Sequence, residues 1–310
     1  MNIHTSLQEI PPLHNLVLTI GTFDGVHKGH KKLIDSILQK AKAVNGTSGL
    51  LTFHPHPRMV IRKKDEPVQL LTPIEERIEK LQATRLDNLF IVPFNVEFAN
   101  MSAEQYVEEV LLNQLQARFL VIGYDHKFGK NRSGNIDLLL QMSEEMNFDV
   151  EQIPRQQIDE ITYSSTTIRN LLLEGEVKSA NDLLGSAYKI EGVVVHGEKR
   201  GRDLGYPTAN IKTSDAEKLI PGKGVYAVRT EFNGTVYNGM LNIGTRPTFD
   251  GQRKTIENVL FDFSGDLYGH KITVKFVQKI RSEHKFASAE ELKSQLICDE
   301  AKAKMILEND

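Results

Sequence analysis

His27 and His30 stand three residues apart where an apolar run, VLTI at 17–20, gives way to a glycine-punctuated stretch, GTFDGVHKGH. On the first turn of a helix, that spacing lets both imidazoles face one anion. An imidazole N–H placed there stabilises charge developing on a transferring phosphoryl group. A chain that leaves a strand, turns through Gly21, Gly25 and Gly29 and restarts as a helix also presents unpaired backbone N–H groups and a positive dipole end, both favourable to phosphate. Gly29 lets backbone come close because it lacks a Cβ. A bare HxxH is as readily a surface pair or a metal pair. The order strand, glycine loop, histidines, helix is what points to phosphate, and no cysteine or third histidine stands nearby to complete a zinc site.

Three further groupings carry chemistry. Ser164 and Ser165 precede an apolar helical pattern, Ile168, Leu171 and Leu172, and Arg169 lies one turn from Ser165. The serines alone read as helix caps, but a hydroxyl and a guanidinium on one helix face can grip a phosphate. Thr208 and Asn210 are two apart in an extended segment and so point to one side. Their oxygens suit a magnesium ion shared with nucleotide phosphates, and Gly201 and Gly205 just before them allow backbone to approach. Glu257 sits inside an otherwise apolar strand pattern, where a carboxylate is either solvated or the base for an alcohol.

The elements that must position these groups alternate through the first half. Strand patterns at 49–53, 89–92, 119–122 and 148–153 are separated by helical ones. One helix is expected to start at Thr72-Pro73-Ile74-Glu75, with Thr72 as cap and Glu75 closing a capping box; another starts at Ser102-Ala103-Glu104-Gln105, and a third covers 136–146. Alternation predicts an α/β domain with a parallel sheet, whose ligands bind beyond the carboxyl ends of the strands. The histidine loop, the stiff His54-Pro55-His56-Pro57 loop and the loop at 123–129, GYDHKFG, all leave strands at that end. Near Gly185 the texture changes. Strands at 188–196, 225–232, 235–243, 255–263 and 272–280, with Asn233-Gly234 as a hairpin turn, predict a small closed barrel. A capping box, Ser288 to Glu291, then opens a last helix carrying Leu292, Leu296 and Met305. The expected domains are 1–185 and 186–310.

GTFDGVHKGH resembles the nucleotidyltransferase signature in the form found in FMN adenylyltransferases, and TFHPHP, GYDHKFG and SSTTIR resemble further motifs of that family. GRDLGYPTAN, 201–210, resembles the riboflavin kinase signature; NIGTRPTF, DLYG and IRSEHKF match other parts of that family, so the two resemblances cover nearly the whole chain. They imply a Rossmann-like, parallel-sheet nucleotidyltransferase domain followed by a mainly-β riboflavin-kinase barrel with a C-terminal helix. The reactions implied are phosphorylation of riboflavin to FMN and adenylylation of FMN to FAD with release of pyrophosphate, each using ATP and Mg2+. For the second reaction the resemblance gives Gly21, Phe23, His27, Gly29, His30, Ser165, Thr166 and Arg169 to the ATP phosphates, with His27 and His30 catalytic, and His56, Tyr106, Asp125 and Phe128 to the flavin. For the first it gives Gly201, Arg202, Gly205, Thr208 and Asn210 to ATP, Thr208 and Asn210 to the metal, Glu257 to catalysis, and Arg281, Glu283 and Phe286 to the flavin. The kinase family often has a histidine where Val259 stands, and the adenylyltransferase family usually has an aromatic where His126 stands. The alternative is therefore an FAD synthetase whose barrel is a weak or silent kinase.

Composition narrows the remaining classes. In 310 residues, 38 Lys and Arg face 41 Asp and Glu, which argues against a nucleic-acid-coating protein. The short basic run Arg62-Lys63-Lys64 reads as a solvated loop. The single cysteine, Cys298, cannot form an internal disulfide and is expected to be a packing residue. No basic leader precedes a long apolar run, and no stretch reaches membrane-spanning length. The expectation is a cytoplasmic protein with small-molecule partners, without nucleic acid or membrane, as a monomer or weak homo-oligomer.

Overall fold

The structure, a computed structural model, describes every residue except 9, 62–67, 125, 155–162, 198–204 and 249–250, and describes the backbone alone at 246–248 and 251–253. The basic run at 62–64 and the candidate site residues Asp125, Gly201 and Arg202 therefore lie outside the described residues. The chain parts into two compact units, Met1–Ser165 and Thr166–Asp310.

The first unit is a parallel sheet of β1 (Asn2–His4), β2 (Leu16–Ile20), β3 (Ser48–His54), β4 (Asn88–Pro93), β5 (Ala117–Gly123) and β6 (Asp149–Ile153), in the order β1-β4-β3-β2-β5-β6. Every residue of β2 is buried, as a strand covered on both faces requires. Leu16, Leu18 and Ile20 join one core cluster and Val17 the other, on alternate faces of the sheet. Because β3, β2 and β5 are neighbours and all parallel, the three loops singled out in the sequence leave the same edge side by side. Strand β1 was not foreseen: three residues are too few to show a period.

The helices are α1 (Lys28–Ala43), α2 (Pro57–Ile61), α3 (Ile74–Gln82), α4 (Val96–Ala99), α5 (Ala103–Gln105), a π-helix over Tyr106–Gln114, and α6 (Ile136–Met146). The capping box at Ser102 and Gln105 is formed as expected, although the chain beyond it winds as π rather than α. Two expectations fail. The HPHP stretch is not loop throughout, because Pro57 opens α2, its fixed φ suiting a first helical position. Thr72 does not cap α3: the N-cap is Pro73, without a side-chain cap bond, and the Thr72 hydroxyl is engaged by Asp24 and Gly25 instead.

The second unit begins at Thr166, inside α7 (Ser165–Glu174), and goes on to α8 (Val177–Leu184), so contacts divide the chain ahead of the change in texture at Gly185. Then β7 (Lys189–Val195), β8 (Ala209–Thr213), β9 (Gly224–Phe232), β10 (Thr235–Thr248), β11 (Gly251–Leu260) and β12 (Lys271–Arg281) close an antiparallel barrel, in the order β10-β11-β8-β7-β12-β9. Asn233 and Gly234 both take positive φ, 48° and 78°, as a two-residue hairpin turn of the primed type demands. Strand β8 escaped the sequence reading because its five residues include Asn210 and Lys212.

Helix α9 (Ala289–Glu308) starts where expected, with the Ser288 hydroxyl accepting from the Glu291 N–H at 3.1 Å. Leu296 packs against the barrel cluster as expected, and the expectation fails at Met305. Asp299, Ala303 and Leu307 are buried, while Met305 is 59% exposed. Cys298, one position before Asp299, is consequently exposed rather than packed. The phase is set by Asp299, which has no exposed surface and pairs with Arg281 of β12 at 2.8 Å. Among the described residues, no helix is long and apolar enough to cross a membrane.

Candidate functional site

Between β2 and α1 the chain takes three left-handed residues, Phe23 (φ 48°), Gly25 (φ 92°) and Val26 (φ 43°). That tight path carries His27 to the N-cap of α1, where its Nδ1 accepts the His30 backbone N–H at 3.3 Å. A neutral ring that accepts at Nδ1 carries its own proton at Nε2. The two imidazoles stack, centroids 3.6 Å apart and 16° from parallel, with the Phe23 ring 4.7 Å from His30. A Cβ at Gly29 would come within 3.1–3.3 Å of Tyr163 and the His27 ring, so glycine keeps that helix start open. A Cβ at Gly21 would press on the Phe23 ring at 3.0 Å. Ser165 donates to the Asp24 carbonyl at 2.9 Å. Thr166 and Arg169 follow along α7.

The His30 Nδ1 is shut off from solvent without a hydrogen-bond partner among the described residues. Burial holds the His30 pKa well below its usual value, and the charges of His27 and Arg77 add to the effect. His126, which stacks on Phe128 with centroids 5.7 Å apart, is pushed down to about 4 by burial, with Arg132 adding. In an unfolded chain both titrate near about 6.5. Below that pH the unfolded state binds more protons than the folded state, so stability is intact above it and falls as pH decreases through about 4. For His126 alone the loss is on the order of 3 kcal/mol. Urea unfolding at neutral and mildly acid pH measures the fall, and His126→Phe is expected to flatten it.

The residues that the resemblance gives to the flavin of this domain differ in packing. His56 is buried, its Nδ1 accepting the Arg58 N–H at 3.1 Å. Tyr106 and Phe128 are both core residues with rings 5.7 Å apart, and the Tyr106 hydroxyl has no partner among the described residues. Desolvation raises the Tyr106 pKa far above its usual value, so the group stays a neutral donor.

Sequence reasoning missed two residues that hold the histidine loop. Asp24 is fully buried and accepts from the Leu71 N–H at 3.0 Å and the Thr72 N–H at 2.8 Å. Arg77, 2% exposed, donates to the Thr52 hydroxyl at 3.2 Å and the Thr72 carbonyl at 3.3 Å. Burial lowers the Arg77 pKa and the Asp24 charge opposes that shift. One signal was visible: Arg77 falls between Ile74 and Leu81 at helical spacing, on the face that should have been apolar.

In the barrel, backbone register gathers the second set. Asn210 of β8 is directly opposite Glu257 of β11, which is opposite Asn242 of β10, which is opposite Val225 of β9. Directly paired residues share a face. That face is the outer one, because Val225 packs with Ala303 and Leu307 of α9, while the flanking Ile256 and Asn258 are buried on the other side. A Cβ at Gly197 would overlap the Asn210 carboxamide, so that glycine seats it. A Cβ at Gly244 would overlap the Glu283 carboxylate and lie 3.4 Å from the Asn242 amide, which brings Glu283 to the same row. Asn242 was not singled out from sequence; only its place in NIGTRPTF marked it. Gly205 takes a left-handed φ of 87°, and Tyr206 beside it donates to Glu300 of α9 at 2.7 Å.

Arg281 is anchored rather than free. Its Nε and Nη2 reach both Asp299 oxygens at 2.8–3.0 Å, Nη1 donates to the Ser282 carbonyl at 3.1 Å, and the guanidinium lies 5.5 Å from the Phe286 centroid. Arg281 thereby shapes the turn that carries Glu283 and Phe286. Val259, where a histidine stood in the family pattern, packs in the apolar cluster beneath α9 and leaves the Glu257 row untouched.

Among the described residues no three or more His, Cys, Asp or Glu side chains gather to hold a metal. The donors in the barrel loop are the hydroxyl of Thr208 and the seated carboxamide of Asn210, both neutral oxygens. Such a set fits Mg2+, which keeps several waters and takes further ligands from substrate phosphates.

Comparison with known proteins adds to this geometry. Residues 10–167 match the family model described as FAD synthetase, and residues 184–307 match the one described as riboflavin kinase. The bifunctional riboflavin kinase/FMN adenylyltransferase of Bacillus subtilis is 39% identical over 295 residues, 93% of this chain and 91% of that protein. Its counterpart in Haemophilus influenzae is 39% identical over 306 residues, covering 96% and 98%. A crystal structure described as a macrolide-efflux protein from Streptococcus pneumoniae superposes with a TM-score of 0.86 at 30% identity, over 97% of this chain and 98% of that one.

Proposed function

Because this chain belongs to the family of bifunctional riboflavin kinases/FMN adenylyltransferases, we propose that its two sites divide the work as their chemistry dictates, with Glu257 serving the first reaction and His27 with His30 the second. The protein is a transferase: it phosphorylates riboflavin to FMN and adenylylates FMN to FAD, releasing pyrophosphate. One observation supports the division of labour above the rest. The stacked imidazoles and the Asn210–Glu257 row sit in different architectures, each matching its own family model.

In the kinase reaction Glu257 takes the proton of the riboflavin hydroxyl as its oxygen attacks the γ-phosphorus of ATP and the bond to the bridging oxygen breaks, releasing ADP. Thr208 and Asn210 would hold Mg2+, which neutralises phosphate charge when bound; Gly201, Arg202 and Gly205 border the phosphates. Glu283 and Phe286, on the turn that Arg281 anchors to Asp299, line the flavin.

In the adenylyl transfer an FMN phosphate oxygen attacks the α-phosphorus of ATP in line, and pyrophosphate leaves without a covalent protein intermediate. The His27 Nε2–H and the His30 ring meet the reacting phosphates over a loop opened by Gly21, Phe23 and Gly29. Thr166 and Arg169 take the leaving pyrophosphate, with Ser165, whose hydroxyl is held by the Asp24 carbonyl, at the opening of their helix. Anion binding raises the His30 pKa from its depressed value, because a polyphosphate favours the charged imidazole. His56, Tyr106, Asp125 and Phe128 border the flavin of this reaction, with the neutral Tyr106 hydroxyl as a donor. We place the enzyme in the cytoplasm as a monomer or weak homo-oligomer acting on small molecules.

The full chain supplied with riboflavin, ATP and Mg2+ is expected to give FMN first and FAD after it, followed by chromatography. FAD formed from added FMN, with no FMN formed from riboflavin, would instead leave the barrel without its kinase role.

A further inference from the structure

Thr72 stands where a helix cap belongs and has its hydroxyl turned elsewhere. It is 1% exposed, and α3 begins two residues later, after Pro73, with no side-chain cap bond. Its Oγ1 accepts the Gly25 N–H at 2.8 Å and donates to Asp24 Oδ1 at 3.2 Å, while its own N–H reaches the same carboxylate oxygen at 2.8 Å. Behind it, Arg77 holds the Thr72 carbonyl and the Thr52 hydroxyl, and Thr52 in turn donates to the Thr22 carbonyl at 3.1 Å. The network thus grips Thr22, Asp24 and Gly25.

Those are the residues interleaved with Phe23 and Val26, which take left-handed backbone at φ 48° and 43°. For a bulky or β-branched residue that conformation is strained, and it persists only where the surroundings over-determine it. His27 follows Val26 directly, so whatever holds this turn sets where both imidazoles lie. We propose that Thr72, backed by Arg77, is a positioning residue for FAD formation: its hydroxyl clamps the Asp24-Gly25 turn so that His27 and His30 meet the reacting phosphate. The proposal rests on the reading of that loop as the adenylyl-transfer site.

The test uses the full chain, which carries its own control in riboflavin phosphorylation. Thr72→Val keeps the shape and removes the hydroxyl. Displacing a catalytic group by a fraction of an ångström to one ångström is expected to lower kcat for FAD formation by about 10- to 100-fold. KM for ATP should move far less, and riboflavin phosphorylation should not change. Thr72→Ser restores the hydroxyl and is expected to recover most of the rate. Wild-type FAD formation by Thr72→Val overturns the proposal, as does an equal loss in Thr72→Ser, since methyl packing would then be the cause. Should Thr72→Val not fold, Thr52→Val breaks the tether to Thr22 and is expected to give a smaller loss of kcat; an unchanged kcat there overturns the clamp. If His30→Ala also leaves FAD formation intact, the site assignment fails; if it abolishes FAD formation while Thr72→Val does not, only the clamp does.

Discussion

Replacing His30 with alanine is expected to slow FAD formation from FMN and ATP by about 100- to 1000-fold, the effect of removing one preorganised donor from a site where charge develops. The ring is positioned by stacking on His27 and by Phe23, and its Nδ1 is closed to water, so no solvent molecule substitutes cleanly for it. The loss should fall mainly on kcat, because the charge that the donor meets grows in the transition state. Riboflavin phosphorylation in the same protein should stay at its normal rate. FAD formation within a few fold of normal would remove His30 from the chemistry.

Glu257→Gln is expected to lower FMN formation from riboflavin by about 100- to 10,000-fold, the usual contribution of a positioned base. The amide has the shape of the acid and the strand pairing to Asn210 and Asn242 is made by backbone, so the barrel should survive the change. FAD formation from added FMN serves as the internal reference and should not fall. Unchanged FMN output would place the base elsewhere in the barrel.

Much of this architecture could be read from residue order. The strand at 17–20 announced itself as an unbroken apolar run, and Ile34 and Ile37 on α1 repeat at the spacing that burial later showed. Asn233-Gly234 needs positive φ at both positions, which is why two letters sufficed to place a hairpin. What escaped shares a cause, namely long-range pairing that overrides local preference. Thr72 has every local mark of a cap, but its partner lies 47 residues away at Gly25. Arg77 passed unremarked because its buried acceptor, the Thr52 hydroxyl, lies 25 residues back. The phase of α9 follows from Asp299 meeting Arg281, which left Met305 and Cys298 outside. In the site, glycine loops and histidines were legible because their chemistry is local. Asn242 was not, since only strand pairing brings it beside Glu257.

That pairing places a parity rule on the length of the barrel strands. Along β11 the neighbours of Glu257, Ile256 and Asn258, face inward, so adding or deleting one residue within the paired stretch would exchange the carboxylate for one of them. Two residues gained or lost would leave the carboxylate outside yet slide it past Asn210. A one-residue insertion within the paired part of β11 is therefore expected to remove the carboxylate from the row, while one in a longer connection between strands leaves it in place.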